Sequence, residues 1–281
     1  MKVNVLIENT TKGDLISEHG LSLLIEFQGQ KYLLDAGQSG DFMKNANAMG
    51  LNVGEVSCAI LSHGHYDHAG GFGLYLDKYP HIKLYGMKGI TKEYYSGSGG
   101  SIHEIGVPKD ILLRHKEKLL LVEEVTQIAE HVYLVPHNTS GLARIGERTK
   151  LYKKQEDDYV PDDFAHELSL VFETEKGLVI FNSCSHGGFC NIIKEVKEVF
   201  SGKKISAFCG GLHMKGMKNG EEYCTFAKEE LQEIVNCFEE ENMDKIYTGH
   251  CTGIVGTGLL KELMGDNLEV LSTGLGFNRF L

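Results

Sequence analysis

Three histidines and an aspartate crowd into six residues of the run SHGHYDHAGG: His63, His65, Asp67 and His68. Imidazole nitrogens and carboxylate oxygens are ligands for first-row divalent metals. In extended backbone, residues two apart point the same way, so His63 and His65 can grip one cation while Asp67 and His68 turn toward a second. The spacing predicts a dinuclear centre of two divalent metal ions. Zinc is the first choice, with iron or manganese as alternatives that these ligand types do not separate. Isolated histidines such as His81, His103, His115, His131 and His137 carry no such pattern and read as surface residues.

The elements that must position this cluster follow from the hydrophobic period. Residues 3–7, 21–27 and 31–34 alternate as strands, the last running into Asp35-Ala36-Gly37; residues 42–49 have helical spacing. Residues 57–61 form a short apolar strand that ends at the motif, the end of a strand where α/β layouts place chemistry. A helix over 72–78 and a strand over 82–85 follow, and several strand-like runs lie between 111 and 134. The glycine-serine run 96–101 reads as a mobile lid, and the charged stretch 149–163 as a solvated loop. Residues 168–172 and 178–181 form a hairpin that delivers Cys184-Ser185-His186. Helical spacing covers 191–200 and 223–240, and strands 205–209 and 245–247 each run through a glycine turn into a histidine, His213 and His250.

The 281 residues are 42% hydrophobic and 24% charged, the composition of one ordinary globular domain spanning 1–281. A net charge of −11 argues against a nucleic-acid partner. No apolar run approaches the roughly 20 residues that cross a bilayer, and no export leader is read at the N-terminus. Seven cysteines at irregular spacings suggest reduced thiols. A small-molecule substrate, no membrane partner and a cytoplasmic location are expected.

Through Asp35-x-Gly37 and the HxHxDH motif of residues 63–68, the sequence resembles the metallo-β-lactamase superfamily. Glu18-His19-Gly20-Leu21-Ser22, GLVIFNSCSH, GGLHM and GHCTG add a similarity to its dihydropteroate-synthase-like branch. That branch holds archaeal synthases of 7,8-dihydropterin-6-methyl-4-(β-D-ribofuranosyl)aminobenzene 5′-phosphate and bacterial metallo-hydrolases. The resemblance implies an α/β fold, an αββα sandwich of two mixed β-sheets with helices on the outer faces. It implies that Asp35 holds the motif loop by hydrogen bonds, and that His250 caps the second metal.

One departure stands out. Where many superfamily hydrolases carry a bridging aspartate, this chain has Asn182-Ser183-Cys184-Ser185-His186. Either His186 ligates metal with Cys184 near the aspartate's usual place, or His166 is the third histidine and Cys184 or Ser185 takes the bridging position. His213 belongs to the branch pattern as a ligand, a proton donor or a substrate contact. The ligand set expected is His63, His65, Asp67, His68, His186 and His250, with Asp67 and His213 as catalytic groups. The leading function is metal-dependent hydrolysis of a small phosphorylated or ester-containing molecule by a metal-activated water. The alternatives are a condensing synthase acting on a dihydropterin pyrophosphate and a non-hydrolytic metal-binding or regulatory protein.

Overall fold

Along the strand Gly177–Phe181, Leu178 and Ile180 enter one apolar cluster while Val179 and Phe181 enter another. This is the period-two pattern of a strand covered on both faces. Its neighbour Leu168–Thr174 does the same, with Leu170 and Phe172 on one side and Val171 on the other. The computed structural model, which describes residues 1–278, builds this pattern into an αββα sandwich.

One seven-stranded sheet runs in the order Gly276–Asn278, Lys2–Ile7, Ser22–Phe27, Gln30–Leu34, Cys58–Ile60, Leu84–Met87, Leu119–Val122. The other runs Leu268–Val270, Lys245–Thr248, Ile205–Cys209, Gly177–Phe181, Leu168–Thr174, Val132–Pro136, Thr126–Ala129. Both sheets are mixed. Their facing sides share a core in which Phe172 meets Phe27 and Tyr32 with ring centroids at 5.2 and 5.5 Å. Outside the second sheet, helices Phe189–Val199, Lys228–Glu240 and Gly253–Met264 bury Ile192, Val196, Leu231, Phe238 and Leu260. Outside the first, helices Asp41–Ala48 and Phe72–Lys78 contribute Phe42, Phe72 and Tyr75.

Four local expectations are corrected. The stretch 149–163 is a hairpin, Leu151–Gln155 with Asp158–Pro161, in a small sheet with Tyr94–Ser96 and His103–Glu104. Cross-strand pairing outweighs its charge, because Leu151 turns inward to pack with Tyr94. The glycine-serine run forms the turn between two strands of that sheet. Where strand-like runs were expected from 111 to 134, the first residues belong to a helix, Lys109–Arg114, that buries Ile111 with Pro108 at its cap. The long helix starts at Lys228 and not at 223, since Glu221–Cys224 pairs with Lys215–Lys218. No helix among the described residues is long and apolar enough to cross a membrane.

Candidate metal centre

Five strands end at one rim and hand over the site residues. Gln30–Leu34 leads to Asp35, Cys58–Ile60 to His63, Gly177–Phe181 to Cys184 and His186, Ile205–Cys209 to His213, and Lys245–Thr248 to His250. Asp35, Ser185, His213 and His250 adopt left-handed backbone (φ 58°, 54°, 47° and 52°), so the chain turns sharply where each strand stops. Side chains there tolerate a conformation that costs of order 1 kcal/mol or more. Gly20 has φ +152°, and a Cβ there would stand 2.5 Å from the Asp67 carbonyl oxygen, so only glycine lets the 18–20 segment lie against the motif.

The buried Asp35 organises the motif. Its Oδ1 accepts the Ser62 N–H at 2.8 Å, and its Oδ2 accepts both the Ser62 hydroxyl at 2.7 Å and His68 Nδ1–H at 2.7 Å. Ser62 spends its proton on Asp35, so its oxygen is left to accept from His63 Nδ1 at 2.8 Å. His250 Nδ1–H donates to Asn9 Oδ1 at 3.0 Å. These bonds fix the tautomers of His63, His68 and His250 and leave each Nε2 lone pair pointing away from the protein partner, the arrangement metal-binding imidazoles require.

Two groups of ligand atoms result. His63, His65 and His186 offer atoms within 4.8 Å of one another, and Nε2 of His63, Nε2 of His65 and both ring nitrogens of His186 are buried without a partner. In the second group, His68 Nε2 lies 3.0 Å from His250 Nε2 and 3.5 Å from Asp67 Oδ2, which is 3.3 Å from His250 Nε2. Four ligands tetrahedrally placed about 2.0–2.1 Å from a zinc ion lie about 3.3 Å from one another. The donor set and spacing fit a divalent cation. Cys184 Sγ stands 3.3 Å from His68 Nε2 and groups with His63 and His68 on one side and with His250 and Cys251 on the other.

Burial and mutual repulsion hold the first group neutral, as ligation needs. Burial pushes His63 and His186 far below the ordinary histidine value and His65 down to about 3, with neighbouring imidazoles adding to it. Burial works the other way at Asp67, but His68, His250 and His19 keep its carboxylate well below the usual range. His68, penalised by burial, is nonetheless raised to about 9 by Asp67 and Asp35. The second group therefore demands positive charge, supplied by a proton or by a metal.

Both ring nitrogens of His166 are occupied: Nδ1 accepts the Gly64 N–H and Nε2–H donates to Asp162, each at 2.9 Å. His213 lies outside both groups with its ring 4.3 Å from that of His186, and its buried Nδ1 has no partner. His137 and His115, read as surface residues, are buried. His137 bridges Glu195 and Ser169, and His115 lies 3.3 Å from Asp77.

Sequence reasoning missed several residues. His19 Nε2 sits 3.3 Å from Asp67 Oδ2, its ring stacked 5.3 Å from His250. Glu8 accepts the His250 N–H at 2.7 Å, and the buried Glu167 accepts the N–H groups of His186 and Gly187 at 2.8 and 2.9 Å. Glu18-His19-Gly20 was a visible signal. Glu8 follows the strand Lys2–Ile7 and Glu167 precedes Leu168–Thr174, with no pattern to mark them.

The sequence pattern of the metallo-beta-lactamase superfamily matches residues 17–202. The chain belongs to this superfamily. Superfamily membership implies divalent metal binding, and the clustered His, Asp and Cys side chains described above are its candidate ligands. The chain is 26% identical, over 92% of its own length and 89% of the relative's, to the 7,8-dihydropterin-6-methyl-4-(beta-D-ribofuranosyl)-aminobenzene-5'-phosphate synthase of Methanocaldococcus jannaschii. It is also similar to Tm1679, a metal-dependent hydrolase of the beta-lactamase superfamily, with 26% identity, all of both chains covered and a TM-score of 0.82. A diphosphatase of the PhnP family shares the metallo-β-lactamase fold, with 12% identity, 98% and 96% of the two chains covered and a TM-score of 0.55.

Proposed function

We propose that the chain is a metal-dependent hydrolase with a dinuclear site. In this reading His63, His65 and His186 hold one divalent metal and Asp67, His68 and His250 a second, with zinc as the first assignment and iron or manganese as alternatives. The substrate is a small phosphorylated or ester-containing molecule. The observation that carries the proposal is the set of buried imidazole nitrogens with no protein partner beside three rings whose opposite nitrogens are all answered. An unpaired buried polar group costs about 1–3 kcal/mol, and metal ligation removes that cost.

Bound divalent metals supply a water of lowered pKa and Lewis-acid polarisation of the electrophile. The protein's own groups do the rest. Asp35 and Ser62 hold the motif rings in place, and Glu8 and Glu167 hold the loops that carry His250 and His186. Asp67, 3.3 Å from His19, is placed to orient the attacking water by accepting a hydrogen bond from it. His213 Nδ1, unpartnered beside His186, is placed to protonate the leaving group. Cys184 occupies the space between the two ligand groups where an aspartate would bridge.

The identity to the archaeal synthase favours a second reading, in which the same ligands bind the pyrophosphate leaving group of a dihydropterin and stabilise its departing charge. A screen of metal-loaded protein against phosphodiesters, phosphomonoesters, thioesters and lactones separates the two. The hydrolase reading predicts turnover of at least one class, lost more than 100-fold on chelation. No hydrolysis of any class, with condensation of a dihydropterin pyrophosphate instead, would overturn it in favour of the synthase.

A further inference from the structure

Next to the histidine clusters lies a cavity of about 210 Å³ lined by His186 and His213 together with Arg144, Arg148, Phe189 and Phe226. It is smaller than the roughly 300–1,000 Å³ that takes a whole drug-sized ligand, so it suits one group of a larger molecule. Arg148 is already engaged, paired with Glu230 at 2.5 Å and lying over the Phe226 ring at 5.3 Å. The Arg144 guanidinium makes no ion pair or hydrogen bond among the described residues; only its backbone N–H is engaged, donating to the Gly141 carbonyl. Among the described residues the Glu233 carboxylate, which also lines the cavity, has no ion-pair or hydrogen-bond partner; it is exposed and also lines a neighbouring hollow.

The helix Phe189–Val199 begins at this cavity. Its first-turn amides have no acceptor within the helix, its cap residue Gly188 has no side chain to supply one, and residues 188–191 all line the cavity. A second observation is independent of that helix end. His186 is only 2% exposed and both its ring nitrogens lack a partner, whereas His63, His68 and His250 each have one nitrogen answered by the protein. Ligation uses one nitrogen of His186; the other is a buried donor that still needs an acceptor.

We propose that this cavity is a phosphate subsite, taking the phosphomonoester group of a substrate whose reacting bond lies at the histidine clusters. An imidazole N–H, the helix amides and the Arg144 guanidinium are three sets of donors, matching the three terminal oxygens of a phosphate. Phe189 and Phe226 give the cavity apolar walls against which the attached carbon skeleton packs. The position of the reacting bond rests on the hydrolase reading; the binding of phosphate does not.

The test is calorimetric titration of inorganic phosphate into the full-length protein, metal-loaded and chelator-treated, for wild type, Arg144→Ala and Arg144→Lys. Arg144 is exposed, so the variants are expected to fold, and their melting temperatures and metal contents serve as controls. The expected result is a loss of phosphate affinity of at least tenfold in Arg144→Ala, partly restored in Arg144→Lys, with metal content unchanged. The same sensitivity to Arg144 is expected in the chelator-treated protein. Three results would overturn the subsite: no phosphate binding by wild type, affinity within twofold of wild type in Arg144→Ala, or binding that vanishes with the metals without depending on Arg144. A protein that holds less than one equivalent of metal yet binds phosphate through Arg144 would sink the hydrolase and leave the subsite standing.

Discussion

Ser62 spends its proton on Asp35 and in return accepts one from His63, so a single carboxylate orients two motif histidines. Ser62→Ala removes that link, and Asp35→Asn swaps one acceptor oxygen for a donor facing His68 or Ser62. Removing a group that hydrogen-bonds and orients a ligand histidine weakens metal binding about 10- to 100-fold. Competition with a chromophoric chelator should show that loss for Asp35→Asn, and unchanged affinity would contradict the orienting role. His186 and His166 differ in a way the sequence left open. His186 has two free nitrogens and His166 has none. His186→Ala is therefore expected to lose one metal equivalent. His166→Ala is expected to keep both metals and lose about 1–3 kcal/mol of stability, because it leaves Asp162 Oδ2 and the Gly64 N–H unpaired in the interior. Equal metal loss in the two variants would reverse the assignment.

At the scale of elements, strand ends aim the site and buried carboxylates hold the loops that leave them. Glu195, on the helix Phe189–Val199, ties down the loop after strand Val132–Pro136 by accepting from His137 Nδ1, the Asn138 N–H and the Thr139 hydroxyl at 2.6, 2.9 and 2.7 Å. Burial works against its charge, but these donors keep its pKa below the ordinary 4.5. With the folded value depressed, the unfolded chain binds more protons as the pH falls, so this contribution is full above about 4.5 and is lost as the pH drops through the folded value. Urea melts between pH 3 and 6 should show that dependence reduced in Glu195→Gln; an unchanged slope would refute it. The motif cluster, the hairpin to Cys184-Ser185-His186 and the strand-to-histidine turns at His213 and His250 were legible in the sequence, because ligand density and period-two burial are local signals. The supports were not. Glu8 meets His250 across 242 positions and Glu167 meets the His186 loop across 19, pairings that only the assembled sheets create. The hairpin at 151–161 was hidden for a related reason: its strand Leu151–Gln155 pairs with Tyr94–Ser96, so charge composition alone read as loop.

Over the whole molecule, the two ligand groups draw on both sheets. His63, His65, Asp67 and His68 follow a strand of the first, while His186 and His250 follow strands of the second. We propose that residues 1–281 form one cooperative domain whose stability is coupled to its metals. A ligand bound only by the folded state adds about 2.7 kcal/mol at a hundredfold excess over its dissociation constant. Calorimetry should therefore show one unfolding transition that moves down several degrees on chelation. Two separable transitions, or a midpoint indifferent to chelator, would contradict this. The most direct test of the central claim is elemental analysis of protein purified without added metal and then loaded and desalted. A dinuclear site gives close to two equivalents of divalent metal per chain, zinc foremost, falling to about one in His186→Ala. Less than one equivalent in the loaded wild-type protein would contradict it.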